Sequence, residues 1–298
     1  MVGFGGELAA LSAALLWAVA TVLYRRAGER IPARELNLVK GIIALSMLGV
    51  TLLVGGDAFS HIEPLALALI LLSGALGIGL GDTAYFESLQ DLGARKALLL
   101  GTLAPPMAGL IAWLFLGEIL TLSAWLGILV TVLGVAWVVT ERHPHEASAQ
   151  LAGRQLRGIL FGLLAALAQS GGVVLSRAAF VQADLSPLWA AFLRLAAGVL
   201  VLLVWIPLAK RPVGRWLRME QSRQLWGQLL FAILVGTYLA IWLQQVALKL
   251  TSAAIAQTLM STSPLFVLPF AAWTGERVTV RAVAGAAVAL VGIGLLFG

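Results

Sequence analysis

Apolar residues along this chain do not alternate with polar ones. They run together for about 20 positions at a time, interrupted by short charged or turn-forming stretches. That is the length an α-helix needs to cross ~30 Å of hydrocarbon. Ten such runs stand out, over approximately residues 5–24, 33–54, 65–89, 94–116, 121–140, 156–180, 186–208, 224–249, 251–274 and 279–297. The pattern predicts an all-α integral membrane protein with ten transmembrane helices. Composition agrees, because only 11% of the 298 residues are charged, against ~25% in a soluble domain. The first run is too long, and preceded by too few basic residues, for a cleaved signal peptide, so it is expected to remain as a span.

The pattern also repeats. A shift of 158 lays Pro106 on Pro264, Gly117-Glu118 on Gly275-Glu276, Gly127 on Gly285 and Gly134 on Gly292, and a slightly smaller shift lays Arg25 on Arg177. The chain therefore divides into a five-helix unit at 1–140, a polar linker at 141–155 and a second five-helix unit at 156–298. Five is odd, so the second unit enters from the opposite side and is inverted relative to the first. Inverted repeats are a common transporter architecture, with the substrate site near the midplane where the halves meet.

Two stretches, GDTAYFESLQDLGARKALLLGTLAPPMAGLIAWLFLGE and TSAAIAQTLMSTSPLFVLPFAAWTGERVTVRAVAGAAVALVGIGLLF, resemble the third-to-fourth and ninth-to-tenth span regions of the EamA family, in the drug/metabolite transporter superfamily. The resemblance extends over nearly the whole chain. It implies a secondary carrier of ten helices in two repeats, often an exporter of amino acids or other small metabolites. Some members of that family carry their termini on the cytoplasmic side.

Charge bears on orientation and partners. A pI near 10.3 would suit a nucleic-acid binder, but these cations sit in short loops between spans, where the positive-inside rule places them. Of the 20 Lys and Arg residues, sixteen fall on one side of the ten-span arrangement. Arg177 and Lys249 fall on the other, and Lys40 and Arg194 lie within spans. The rich side reads as cytoplasmic, which puts both termini on the periplasmic face of a bacterial inner membrane. That orientation departs from the family members with cytoplasmic termini.

Several chemistries are disfavoured. With no Cys there is no disulfide, thiolate nucleophile or Cys-ligated metal. No GxxxxGK[ST] is present, so ATP is not expected to drive the protein directly. GLGD at 79–82 matches an intramembrane aspartyl protease pattern, but that mechanism needs two carboxylates sharing a proton, and Asp57, Asp91 and Asp184 are all expected in loops. His143 and His145, with Glu141 and Glu146, read as a solvated linker around Pro144 rather than a metal site. The expected partners are a small-molecule substrate and membrane lipid, without cofactor.

Hydrocarbon offers no hydrogen-bond partners, so polar side chains within spans should face one another or a water-filled cavity. Gln169 lies on a small-residue face of span six, and Trp17 on the corresponding face of span one. Tyr238, Trp242 and Gln245 share a face of span eight at i, i+4 and i+7, and Gln257 and Ser261 share one in span nine. All of these, with Arg194, are candidate substrate-binding residues. Pro105, Pro106 and Pro264 interrupt spans four and nine. Either they free carbonyls for substrate and gating, or they make static kinks repaired by Thr102, Ser261 or Ser263. Glu118 and Glu276 at the span ends read as loop anchors.

Three charges lie inside spans, each costing ~2.5–3.5 kcal/mol without a partner. Lys40 and Asp82 sit at matching depth and are expected to form an ion pair, structural in the first instance, with proton coupling at Asp82 as the alternative. Arg194 has no acidic residue within a second-half span to pair with. It is suited to a substrate carboxylate or phosphate held bidentately, or else to capping the carbonyls of a broken helix or snorkelling outward. The expected function is a secondary transporter exporting amino acids or related small metabolites by alternating access. The alternatives are a passive channel or lipid scramblase and, among carriers, one for sugars or nucleotide sugars.

Overall fold

The computed structural model describes residues 4–28, 30–55, 62–92, 94–139, 152–208, 223–266 and 279–296, and no strand occurs among them. Helix α1 (Gly5–Gly28) and α2 (Ala33–Gly55) precede a long third span, in which α3 (Pro64–Gly74) continues through a π-helical stretch, π1 (Ala75–Asp82), into α4 (Thr83–Leu92). Then come α5 (Ala94–Gly101), α6 (Ala104–Leu116), α7 (Leu122–Val139), α8 (Ala152–Gln182) and α9 (Pro187–Leu208). A second π-helical stretch, π2 (Leu234–Leu239), joins α10 (Arg223–Ile233) to α11 (Ala240–Leu250), followed by α12 (Ala253–Met260) and α13 (Val280–Leu295). Most of the 141–155 linker, together with Glu276, lies outside the described residues.

Seven continuous stretches are long and apolar enough to cross a bilayer: Gly5–Tyr24, Ala33–Gly55, Pro64–Leu92, Leu99–Leu116, Gly153–Gln182, Pro187–Ile206 and Arg223–Leu250. Leu122–Trp137 and Val280–Leu295 are shorter apolar helices. Large apolar side chains such as Leu53, Leu114 and Phe115 stand exposed on the outside, as they must where the solvent is lipid. The chain is a multi-pass membrane protein.

Packing alternates between the two halves of the chain. Helix α1 lies against π2 and α11, while α8 lies against α3, π1 and α4; α2 packs on α9, and α6 on α12. Helices α7 and α13 are held together by small residues. A Cβ on Gly127 would meet the carbonyl of Gly292, and a Cβ on Gly134 would meet that of Gly285. Each glycine thus faces the sequence counterpart of the other, and at the crossing Thr131 Oγ1 donates to the Ala289 carbonyl, 158 residues away. Close backbone approach through small residues is how membrane helices associate when no hydrophobic effect drives them together. The two helices form a pair with Leu129, Leu133, Leu290 and Val291 outward.

Ion pairs mark the two ends of the bundle. At one end Arg34 and Arg157 meet Glu87, and Arg154 and Arg157 meet Asp91. Asp91 was expected in a loop; it lies instead on the last turn of α4, 3% exposed, because these arginines hold it. At the other end Arg177 pairs with Glu118, and Lys249 with Asp184.

Candidate functional site

A cavity of about 240 Å³ lies within the bundle, lined from both halves of the chain. It is smaller than the ~300–1,000 Å³ typical of drug-sized sites. Its charged lining residues are Lys40, Asp82 and Arg194. From mid-bundle the lining runs to Leu89, Ala97 and Gly162, toward the arginine-rich end, and it includes none of the ion-paired residues of the opposite end.

The two π-helical stretches build much of its wall. Such stretches leave some carbonyls outside the i→i−4 pattern and recur at functional sites, and here side chains take those carbonyls up. Asn37 donates to Ile78 at 3.0 Å and Thr83 Oγ1 to Gly79 at 2.7 Å in π1. In π2 the Trp17 indole N–H donates to Gly236 at 2.8 Å. Tyr24 and Thr237 share a hydroxyl–hydroxyl contact of 2.6 Å beside it. Trp17 therefore presents its ring to the cavity while its polar atom is engaged.

Lys40 and Asp82 form the anticipated pair, Nζ to Oδ2, at 2.5 Å. The ammonium also lies 5.3 Å from the Phe86 ring centroid and 6.0 Å from that of Tyr24, over their faces, which stabilises a cation in a dry setting. Gln169 donates through Nε2 to Asp82 Oδ1 at 3.2 Å. Asp82 is thus held from both halves of the chain.

Arg194 is 1% exposed. Its Nη1 donates to Gln244 Oε1 at 2.9 Å, while its Nε is buried with no hydrogen-bond partner, as is Gln169 Oε1. No carboxylate among the described residues lies within ion-pair distance of it, and Asp82 acts on it only through space. Gly77 lies directly against the guanidinium, since a Cβ there would sit 2.7 Å from Arg194 Nη2. A buried polar atom without a partner costs ~1–3 kcal/mol. The arrangement is therefore incomplete as it stands and suited to an anionic ligand that accepts from the guanidinium.

Spans four and nine are broken where their prolines fall. Pro105 and Pro106 sit in the first turn of α6, where missing N–H groups cost little, and neither lines the cavity. The Leu99 carbonyl accepts from Thr102 Oγ1, and that of Ala104 from Ser170 Oγ. In span nine α12 ends at Met260 and helix resumes at 263–266. Ser261, Thr262 and Ser263 bond back to Thr258, Leu259 and Met260. At the second break Ser263 Oγ thus takes the Met260 carbonyl that Pro264 cannot bond, while at the first the Leu99 carbonyl accepts both the N–H and the hydroxyl of Thr102. Thr102, Ser261, Ser263 and Pro264 line the cavity.

Of the candidate residues, Trp17, Gln169, Arg194, Gln257 and Ser261 line the cavity, with Lys40, Asp82 and Pro264. Tyr238, Trp242 and Gln245 do not. The Tyr238 hydroxyl meets Thr51 Oγ1 at 2.8 Å, and Trp242 packs beside Tyr238 in a cluster with α2. Gln245 is buried on another face, where Ser176 Oγ meets its Oε1 at 2.5 Å. Gln244 takes the place in the cavity that α-helical spacing suggests for Gln245. The cavity face of span eight runs Gly236, Ile241, Gln244. Its first step of five residues is one that a π-turn, not an α-turn, brings onto one face.

The chain is similar to proteins named as transporters. It is 28% identical over 294 residues to an uncharacterized transporter of Archaeoglobus fulgidus, covering 97% of this chain and 96% of that one. To the uncharacterized transporter YvbV of Bacillus subtilis it is 29% identical over 159 residues, and to an uncharacterized protein of Pseudomonas aeruginosa 28% over 138. Those two matches span about half of each relative, 50% and 47%. A crystal structure described only as that of a protein superposes with a TM-score of 0.77 over 98% of this chain and 96% of that one, at 18% identity, a likeness of fold. A model of the EamA-like transporter family matches residues 4–140 and again 156–298, and with both halves of the chain so matched, the protein belongs to that family.

Proposed function

We propose that this membrane transporter is a secondary carrier that exports amino acids or related small metabolites across a bacterial inner membrane by alternating access. Two five-helix units, inverted relative to each other, would rock about the cavity between them. Under this reading the cavity is the substrate site, facing the cytoplasm at its arginine-rich end. The observation that carries it is Arg194: a buried guanidinium in a small cavity shared by both halves, with an unpartnered Nε and no carboxylate in contact among the described residues. A zwitterion's carboxylate would complete it. Trp17, Gln169, Gln244, Gln257 and Ser261 would surround the rest of the molecule. The small cavity favours an amino acid over a nucleotide sugar.

The test is counterflow in proteoliposomes against an amino-acid panel. A carrier shows saturable uptake accelerated by substrate on the far side, whereas a pore or scramblase shows neither. Arg194→Ala should lower carboxylate counterflow by roughly 10–100-fold, the equivalent of a lost hydrogen bond to a charged group. Unchanged transport of every carboxylate by that variant removes Arg194 from the site.

A further inference from the structure

We infer that the substrate's carboxylate occupies, beside Arg194, the place that Asp82 occupies beside Lys40, and that Ala240 is the residue that keeps this place vacant. The inference rests on reading the cavity as the substrate site. It begins from a correspondence between the two cations. Helices α2 and α9 start at Ala33 and Pro187, and Lys40 and Arg194 each lie seven residues further on. Both point into the same cavity, one from each half of the chain.

Their surroundings correspond as well. The π-helical stretches, Ala75–Asp82 and Leu234–Leu239, align under the 158-residue shift. That shift lays Phe86 on Gln244 and Asp82 on Ala240. Lys40 touches Phe86 and Asp82. Arg194 touches Gln244, the counterpart of Phe86, and the remaining position of the set is Ala240, fully buried one turn before Gln244 and outside the cavity lining, with no carboxylate to offer. The first half thus carries a complete cation site and the second half the same site lacking its anion.

The unpartnered atoms agree with the vacancy. Arg194 Nε and Gln169 Oε1 are both buried without a hydrogen bond, and both atoms' side chains lie close around Gly77. The charged lining residues leave one positive charge in excess, two cations against Asp82. A ligand bearing one carboxylate neutralises the cavity and satisfies the guanidinium. If it also carries an ammonium, Gln169 Oε1 is there to accept from it. The geometry therefore selects small monocarboxylates over esters, amides and dianions. Asp82 itself does not serve Arg194, because it lies beyond ion-pair distance of the guanidinium, held by Lys40 and Gln169.

The experiment is ligand-induced thermal stabilisation of the purified full chain, with leucine, phenylalanine, glutamine, their methyl esters and acetate as probes. The free acids should raise the unfolding temperature of the wild type and the esters should not. Ala240→Asp should raise the ligand-free unfolding temperature and weaken acid binding at least tenfold, because the chain then supplies its own anion. Ala240→Asn, equal in size but neutral, should bind acids at least tenfold more tightly than Ala240→Asp. Acid binding by Ala240→Asp at wild-type strength overturns the inference, as do equal responses to acids and esters or no response to any acid. Should Ala240→Asp fail to fold, Asp82→Ala tests the same correspondence from the other half. Its unpaired Lys40 should give an acetate-dependent rise in unfolding temperature larger than the wild type's, and its absence refutes the symmetry. Failed counterflow with this binding pattern intact sinks the transport reading alone. Intact counterflow with Ala240→Asp still binding acids sinks this inference alone.

Discussion

Lys40, Asp82 and Arg194 stand around a cavity that runs from mid-bundle toward the arginine-rich end, whereas at the opposite end Arg177, Glu118, Lys249 and Asp184 are engaged with one another and with backbone. Arg177 donates to Glu118 at 3.0 Å and to the carbonyls of Leu248 and Lys249, and Glu118 also accepts from the N–H of Ala253. One arginine and one glutamate thereby tie the ends of α6, α8 and α11 to the start of α12. Gly6 packs directly on Leu250 and Thr251 beside them. Charge maintains an incomplete site in mid-bundle and a closed seam at the end opposite the arginines. Under alternating access the seam is what must break for the cavity to change sides, so changes at the site should act on binding and changes at the seam on the balance between states.

The largest expected effect falls on the pair inside the cavity. Lys40 and Asp82 have side-chain exposures of 8% and 18%. Removing one partner of a buried pair leaves an uncompensated charge and costs ~3–5 kcal/mol, while removing both is often neutral. Lys40→Met should lower the unfolding temperature well below that of the wild type, and Lys40→Met with Asp82→Leu should recover most of the loss. A double variant that is stable yet transports without a proton gradient, where the wild type requires one, would assign Asp82 to coupling. Equal destabilisation by single and double variants would show that the pair does not stabilise the cavity wall.

A smaller effect is expected at the seam. Glu118→Gln keeps the side-chain shape but exchanges charge-assisted hydrogen bonds to Arg177 and Ala253 for neutral ones, a loss of ~1 kcal/mol. Because the chain has no Cys, a single Ser176→Cys gives a clean reporter. Ser176 is fully buried between the seam and Gln245. Labelling by a membrane-impermeant maleimide from the seam side should rise roughly fivefold in Glu118→Gln, the equivalent of that loss in a two-state equilibrium. An unchanged rate would mean the seam does not control access.

The same contrast divides what the sequence shows from what it hides. Hydropathy locates the seven long apolar helices because lipid demands such runs, and Lys40, Asp82, Arg194 and Gln169 are conspicuous because an isolated polar group in such a run needs a reason. Glu118 as an anchor follows from its place at a span end. The face of span eight is not legible, because the extra residue in π2 slips the register and turns Gln244, not Gln245, toward the cavity. Nothing in VGTYLAIWLQQ marks a π-turn. The prolines mislead for a related reason. They look like mid-helix breaks, but the break falls before Pro105, which sits with Pro106 in the first turn of α6. The correspondence of Lys40 with Arg194 lies in the sequence too, but the shift changes from 152 to 158 along the repeat and hides it until the helix starts are known.

The smallest effect concerns the rim of the seam, where Lys249 donates to Asp184 Oδ1 at 2.6 Å and to the Leu185 carbonyl at 3.0 Å. This ties the turn between α8 and α9 to the end of α11. The hydrogen bond from Lys249, followed by its charge, holds the Asp184 carboxyl below its ordinary 3.8. A depressed carboxyl stabilises the folded state above its unfolded pKa and loses that contribution as pH falls through the folded value. Wild type should therefore exceed Asp184→Asn in unfolding temperature at pH 7, and the gap should hold down to about pH 4 before closing in stronger acid. Asp184 is 94% exposed in its side chain, so the gap should also shrink in high salt. If it persists in high salt, the turn is held by something other than this pair. If it widens in acid, the carboxyl is raised rather than lowered, and the rim of the seam is not closed by charge.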